Sequence, residues 1–219
     1  MPVIKKNQSK KMNISKSKPI IVIATGNQNK FAQLVTLLKP LTKKYDFKNL
    51  KEINYKKEII EDGKTFKDNC LIKAKQLVKD TKCIAIADDS GICIDALNGE
   101  PGVYSARYAG ENAPDEKIVA KVMKKLQGVP LAKRNAKFVA VVGCVLPNGK
   151  SFTASGEIKG KIPLEPVYNK NGDNGLTYDP IFIPNGYKKT MSLLSHEERI
   201  KINHRGIAVV NLLKKIKNI

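Results

Sequence analysis

An α/β fold is what this sequence predicts, on three observations. A β-branched run at residues 19–25 (PIIVIAT) passes through Gly26-Asn27 into a helical apolar pattern at Phe31, Leu34, Val35, Leu37 and Leu38. A second helix, over about 65–81, leads into another short apolar run at 84–87. A hydrophobic strand at 138–146 then turns at Pro147-Asn148-Gly149-Lys150 into a partner strand at 152–162. Strands interleaved with helices in this way need a sheet covered by helices.

Residues 1–18 carry six lysines, no acids and few large apolar groups, so they predict a flexible tail ahead of a folded domain at 19–219. Residues 45–61 predict one or two strands with a charged connection, ending at Glu61-Asp62-Gly63. Thr65 offers an N-cap, with Asp68 at the capping-box spacing, and Phe66, Cys70, Ala74, Leu77 and Val78 mark the inner face of a helix to about Thr81. The run at 84–87 ends in Asp88-Asp89-Ser90-Gly91, which predicts a buried strand running out into a functional turn. Residues 98–102 are turn chemistry, and Asn112-Ala113-Pro114 opens a helix to about Gln127. An Asn-, Gly- and Pro-rich loop at 163–177 leads into 178–184. Ser195 and Glu198 form a capping box before one helical stretch reaching the C-terminus, with a core face of Ile207, Val210, Leu213 and Ile216 or close neighbours.

Composition limits the function classes. At 219 residues the chain suits one large domain or two small lobes. It has no long apolar run and no secretory signal, so a cytoplasmic protein without a membrane span is expected. Cys70, Cys83, Cys93 and Cys144 lack metal-site spacing, and with only two histidines they predict reduced, buried thiols. The net charge of +20 suggests nucleic acid, but only Arg107, Arg134, Arg199 and Arg205 of the forty basic residues are Arg. The lysines are dispersed, so no specific nucleic-acid partner is expected. A positive field would still attract nucleoside triphosphates.

Two places hold candidate chemistry. Side chains alternate along a strand, so Asp88 and Asp89 face opposite ways and do not act as one pair. At 19–30 a strand feeds a Gly turn and a helix, which aims backbone N–H groups and the positive helix end at one point, a natural phosphate site. Lys30 lies in the first turn of that helix; the second Gly and the Lys-Ser/Thr pair of a P-loop are missing. Asn69 and Lys73 share a helix face, and Lys73 is expected close to Asp89. His204-Arg205 taken alone reads as structural.

As a set, these segments resemble the inosine triphosphate pyrophosphatases, the Ham1-like family. The matching residues are Thr25-Gly26-Asn27-Gln28-Asn29-Lys30, then Thr65-Phe66 with Asn69 and Lys73, and Ala87-Asp88-Asp89-Ser90-Gly91. They continue with residues 101–108 (PGVYSARY), Tyr178-Asp179-Pro180-Ile181-Phe182 and His204-Arg205. The resemblance implies an elongated, two-lobed α/β fold around a central mixed sheet with a nucleotide cleft between the lobes, and a homodimer. The implied reaction is hydrolysis of ITP, dITP and XTP to the monophosphate and pyrophosphate. Thr25, Gly26, Asn27, Gln28, Asn29 and Lys30 would cradle the triphosphate, with Lys73 as a second cation. Asp89 is the implied catalytic residue and, with Glu61, a ligand of Mg2+. Ser90 would bond substrate, and Leu176, Thr177, Tyr178, Asp179, Arg199, His204 and Arg205 would enclose and read the base. A carboxylate with an ordinary pKa near about 3.9 is a weak base, so Asp89 is expected mainly to hold the metal and orient water.

Three residues depart from the family pattern. Leu176-Thr177 stands where Phe-Gly is usual, and Arg199 where a lysine is common. Leu176 keeps apolar cover without a π face, which predicts looser base selection. The competing readings are a pyrophosphatase with another base preference, a degraded copy with little activity and, from another class, a basic nucleic-acid-binding protein.

Overall fold

The computed structural model describes residues 18–219 apart from Asp173 and Asn218, and the backbone alone of Asn29. The expected tail therefore lies outside the described residues, except Lys18, whose ammonium donates to the Thr42 carbonyl. Six strands form one sheet: β1 (Ile20–Ile23), β2 (Asp46–Asn49), β3 (Ile84–Ile94), β4 (Asn135–Val145), β5 (Ser151–Lys161) and β6 (Ile183–Pro184), in the order β2-β1-β3-β4-β5-β6. β1 runs parallel to β2 and β3, and the other pairings are antiparallel, so the sheet is mixed.

The helices cover both faces. On one, α2 (Phe66–Thr81) packs its Cys70, Ala74, Leu77 and Val78 against Val22, Ala85, Ala87, Val141 and Val145. On the other, α1 (Gln28–Leu37) and α5 (His204–Lys215) enclose Ile21, Ile23, Ile86, Ala140 and Val142. A separate core occupies the far half of the long strands. There α3 (Asp115–Lys125) and the 178–194 segment pack on Ile92, Ile94 and Phe138. Two cores strung along β3–β5 agree with the two lobes implied by the resemblance.

Residues 45–61 supply one strand, β2, within the expected one or two; Asn49 and Glu52 cap each other's backbone N–H and turn the chain away from the sheet. Three expectations need correction. β3 does not end in a turn at 88–91; it pairs with β4 all the way to Ile94. Gly91 serves instead for close approach, since a Cβ there would lie 2.3 Å from the Ser105 hydroxyl. That hydroxyl caps the strand edge by accepting from the Ile92 N–H. The C-terminal helix is two: α4 (His196–Lys201), which carries the expected capping box, and α5. Asn203 breaks them by accepting from the N–H groups of Arg205 and Gly206, the local competition by which Asn starts a new helix. Its core face is Ala208, Val209, Leu212 and Ile216, while Ile207 and Val210 are exposed. Cys83 and Cys93 are only half-buried, unlike Cys70 and Cys144; all four are free thiols.

Candidate active site

β1 pairs with β3 only as far as Ile86, so beyond that point one edge of β3 is open while the other stays on β4. Asp88, Asp89 and Ser90 lie on this open stretch, beside the loop where β1 passes into α1. Capping builds that loop: Asn27 accepts from the Lys30 N–H, and Thr25 Oγ1 accepts from the Asn27 N–H. The remaining first-turn N–H groups of α1 have no intrahelical partner, which makes the turn from Gly26 to Lys30 an anion-binding corner. Gln28 is tied by Asn49 Nδ2 to the end of β2 rather than left free in the corner.

The two aspartates do face opposite ways. Asp88 points to the side of α1 and α5 and is fully buried. Lys30 Nζ lies 3.0 Å from its Oδ1 and Arg205 Nε donates to its Oδ2 at 2.9 Å. Burial alone would raise this carboxyl, but Lys30 and then Arg205 outweigh it and hold it at about 2. Arg205 also donates to Ser90 Oγ at 3.2 Å and to Gln33 Oε1 at 2.6 Å. Its placement at the start of α5 depends on Gly156 of β5, where a Cβ would lie 2.3 Å from the His204 carbonyl.

Asp89 faces α2. Lys73 Nζ lies 3.5 Å from its Oδ1 and 2.7 Å from Glu61 Oε2, so one ammonium joins the two carboxylates. Arg107 fixes the Glu61 backbone by donating to its carbonyl, and Asn69 Oδ1 accepts from the Gly63 N–H in the same segment. Among the described residues no hydrogen bond to the buried Asp89 Oδ2 is found, although the Asn69 side chain lies near enough to lower the pKa of this carboxyl. Burial raises the Asp89 pKa, opposed by Lys73 and reinforced by Glu61, so this carboxylate is more basic than the ordinary value assumed from sequence. Lys73 stays charged: burial disfavours its ammonium, but Asp89 and Glu61 raise its pKa overall.

Beside Arg205 opens a cavity of about 350 Å³, lined among others by Gln33, Leu176, Asp179, Arg199, His204 and Arg205. His204 is stacked on Phe138, 5.2 Å between ring centres, and burial followed by the Arg205 charge lowers its pKa to about 3, so the ring is neutral. Asp179 Oδ2 accepts from the Leu176 N–H and closes the loop over the cavity. Two expected base contacts are elsewhere. Tyr178 is buried in the far core with its hydroxyl on the Ser105 carbonyl, and Thr177 bonds Asp115 and lines a neighbouring pocket. The apolar ring of Tyr178 is drawn inward, and the adjacent Thr177 side chain faces away from it.

Similarity to known proteins decides the lineage. The model of the Ham1 family matches residues 21–215. This chain belongs to the Ham1 family. A dITP/XTP pyrophosphatase of Bacillus licheniformis is 42% identical over 192 residues, 88% of this chain and 95% of that protein. Solved Ham1 proteins from Staphylococcus aureus and Coxiella burnetii superpose with TM-scores of 0.81 and 0.82, each at 35% identity. They cover 90% and 92% of this chain and 98% and 100% of their own.

Sequence alone assigns Asp88 no role of its own and does not place Gln33 and His196 at the cavity. The opposite facing of Asp88 and Asp89 is the signal for a second cluster. Gln33 lies one helical turn after Lys30, a spacing that places both on one face. His196 carried no such signal. Among the described residues, no three Asp, Glu, His or Cys side chains gather as a ready metal cluster.

Proposed function

We propose that this chain hydrolyses deaminated purine nucleoside triphosphates, ITP, dITP and XTP, to the monophosphate and pyrophosphate. The carrying observation is the pair of cation–carboxylate clusters on opposite faces of the open β3 edge, with the anion corner of α1 and an open cavity beside them. The corner from Thr25 through Asn29 to Lys30 takes phosphate oxygens through backbone N–H groups. The Lys30 and Lys73 ammoniums supply charge where phosphoryl transfer needs it. The base enters the cavity between Leu176 and the neutral His204 ring.

Glu61 and Asp89 Oδ2, a pair of hard oxygens with one left unpartnered, fit a magnesium ion, which when bound would neutralise phosphate charge and acidify a water. Asp89 would mainly hold that ion and orient the attacking water. Asp88 holds Lys30 and Arg205 at their stations between phosphates and base. The reading includes a homodimer in the cytoplasm, and sedimentation of the purified chain tests the dimer.

Hydrolysis of ITP in heavy-oxygen water tests the bond broken. Attack at the α phosphorus puts the label in the monophosphate; label in the pyrophosphate would contradict it. A second reading, looser base choice within the same reaction, is favoured by Leu176, which is 57% exposed at the cavity mouth and lacks a π face.

A further inference from the structure

We infer that Asn69 is a positioning residue for the reaction proposed above, an inference that rests on that reading. Its amide ties the loop that carries Glu61 to the carboxylate of Asp89, and so sets the gap in which a divalent cation would sit. Asn69 lies on α2 one turn before Lys73 and is only 1% exposed. Its Oδ1 accepts from the Gly63 N–H at 2.8 Å. A backbone N–H needs an acceptor opposite it, so this contact fixes which end of the amide is oxygen.

The other end of the amide decides the role. Asn69 Nδ2 is buried, and among the described residues no hydrogen bond to it is found. The same holds for Asp89 Oδ2 on β3, the strand against which α2 packs. A buried donor and a buried acceptor thus stand side by side, near enough for the amide to lower the Asp89 pKa. Pairing them removes the desolvation cost of both at once. Lys73 does not do this work. Its ammonium is 3.5 Å from Asp89 Oδ1 but 2.7 Å from Glu61 Oε2, at the end of a flexible four-carbon stem. The short Asn69 side chain, held by Gly63, is the part that stops Asp89 from turning. A carboxylate oxygen has two lone pairs, so Oδ2 can accept from Nδ2 and still face a cation.

The measurement is titration of Mn2+ alone, a divalent probe suited to carboxylate oxygens, into the wild-type chain, Asn69→Ala and Asp89→Asn. Electron paramagnetic resonance reads the free ion directly, without turnover. We expect Asn69→Ala to weaken binding by about 10- to 100-fold, the usual effect of removing a group that holds a ligand, and Asp89→Asn to weaken it at least as much. Turnover of ITP then closes a double-mutant cycle. Because Asn69 acts through Asp89, Asn69→Ala should lower kcat in the wild type and change it little in the Asp89→Asn background. Thermal melting checks that each variant is folded. Asn69→Ser, too short to span both partners, carries the comparison if the alanine variant is not. Binding that survives Asn69→Ala unchanged, or losses in kcat that multiply, overturns the inference alone and leaves Asn69 as a prop for the loop. A wild type that binds no Mn2+, or whose binding survives Asp89→Asn, overturns the metal reading along with it.

Discussion

Asp88 and Asp89 are neighbours of one residue type on one strand, and their surroundings give them opposite properties. Asp88 is fully buried, answered by two cations, and held at about 2. Asp89 shares a single ammonium with Glu61 and is pushed upward by burial. The difference is one of counter-charge: a cation stands at each oxygen of Asp88, whereas two carboxylates divide the one beside Asp89. The neutralised carboxylate is a framework part, and the under-neutralised one is the place for a further cation. Environment, not residue type, assigns the roles.

The largest effect should come from breaking the under-neutralised side. Asp89→Asn keeps the shape but loses the charge and the acceptor, so turnover should drop by about a hundred- to ten-thousand-fold with little change in melting temperature. Steady-state pyrophosphate release, read beside a melt, checks both halves of that statement.

Breaking the other side should act on the fold as well. Asp88→Asn leaves the buried Arg205 short of its counter-charge, at a cost of about 3–5 kcal/mol in denaturant titration, with activity lost as Lys30 and Arg205 come adrift. A sign follows from its depressed pKa. The folded value of about 2 lies below the ordinary carboxylate near about 3.9. Asp88 therefore stabilises the fold fully above that ordinary value, and the contribution disappears as pH falls through about 2. Melting curves of the wild type across this window should fall more steeply than those of Asp88→Asn; parallel curves would contradict the paired-carboxylate account.

Much of this division was legible in the sequence. The β-branched first strand, the Thr65–Asp68 capping box and the Asn-Gly hairpin are local signals, and each formed where local chemistry placed it. Alternation on β3 correctly separated Asp88 from Asp89, and the helical spacing of Asn69 and Lys73 correctly brought Lys73 to Asp89. What escaped were features set by distant packing. Pairing with β4 carried β3 through a segment whose Asp, Ser and Gly read as a turn. The break at Asn203 depends on a side-chain cap that overrides a continuous helical pattern. Gln33 and His196 meet the cavity only because α1, α4 and the 175–179 loop converge, which no local pattern encodes.

Smaller effects sharpen the picture around the base. Leu176→Phe adds a ring at the cavity mouth, and inosine nucleotides should bind about 1–3 kcal/mol more tightly in direct titration. No change would mean that the base does not reach Leu176. Thr177→Gly should do least, because its hydroxyl is spent on Asp115 outside the cavity. Stability should shift by about 1 kcal/mol or less and the order of substrates should stay the same.

The central claim is tested most directly by pyrophosphate release from ITP, dITP, XTP, ATP, GTP and dTTP with magnesium present. The account predicts rapid release from the first three and slow release from the others. Release from none would contradict the enzyme itself, and equal release from all six would contradict the assignment of base choice to the cavity beside Arg205.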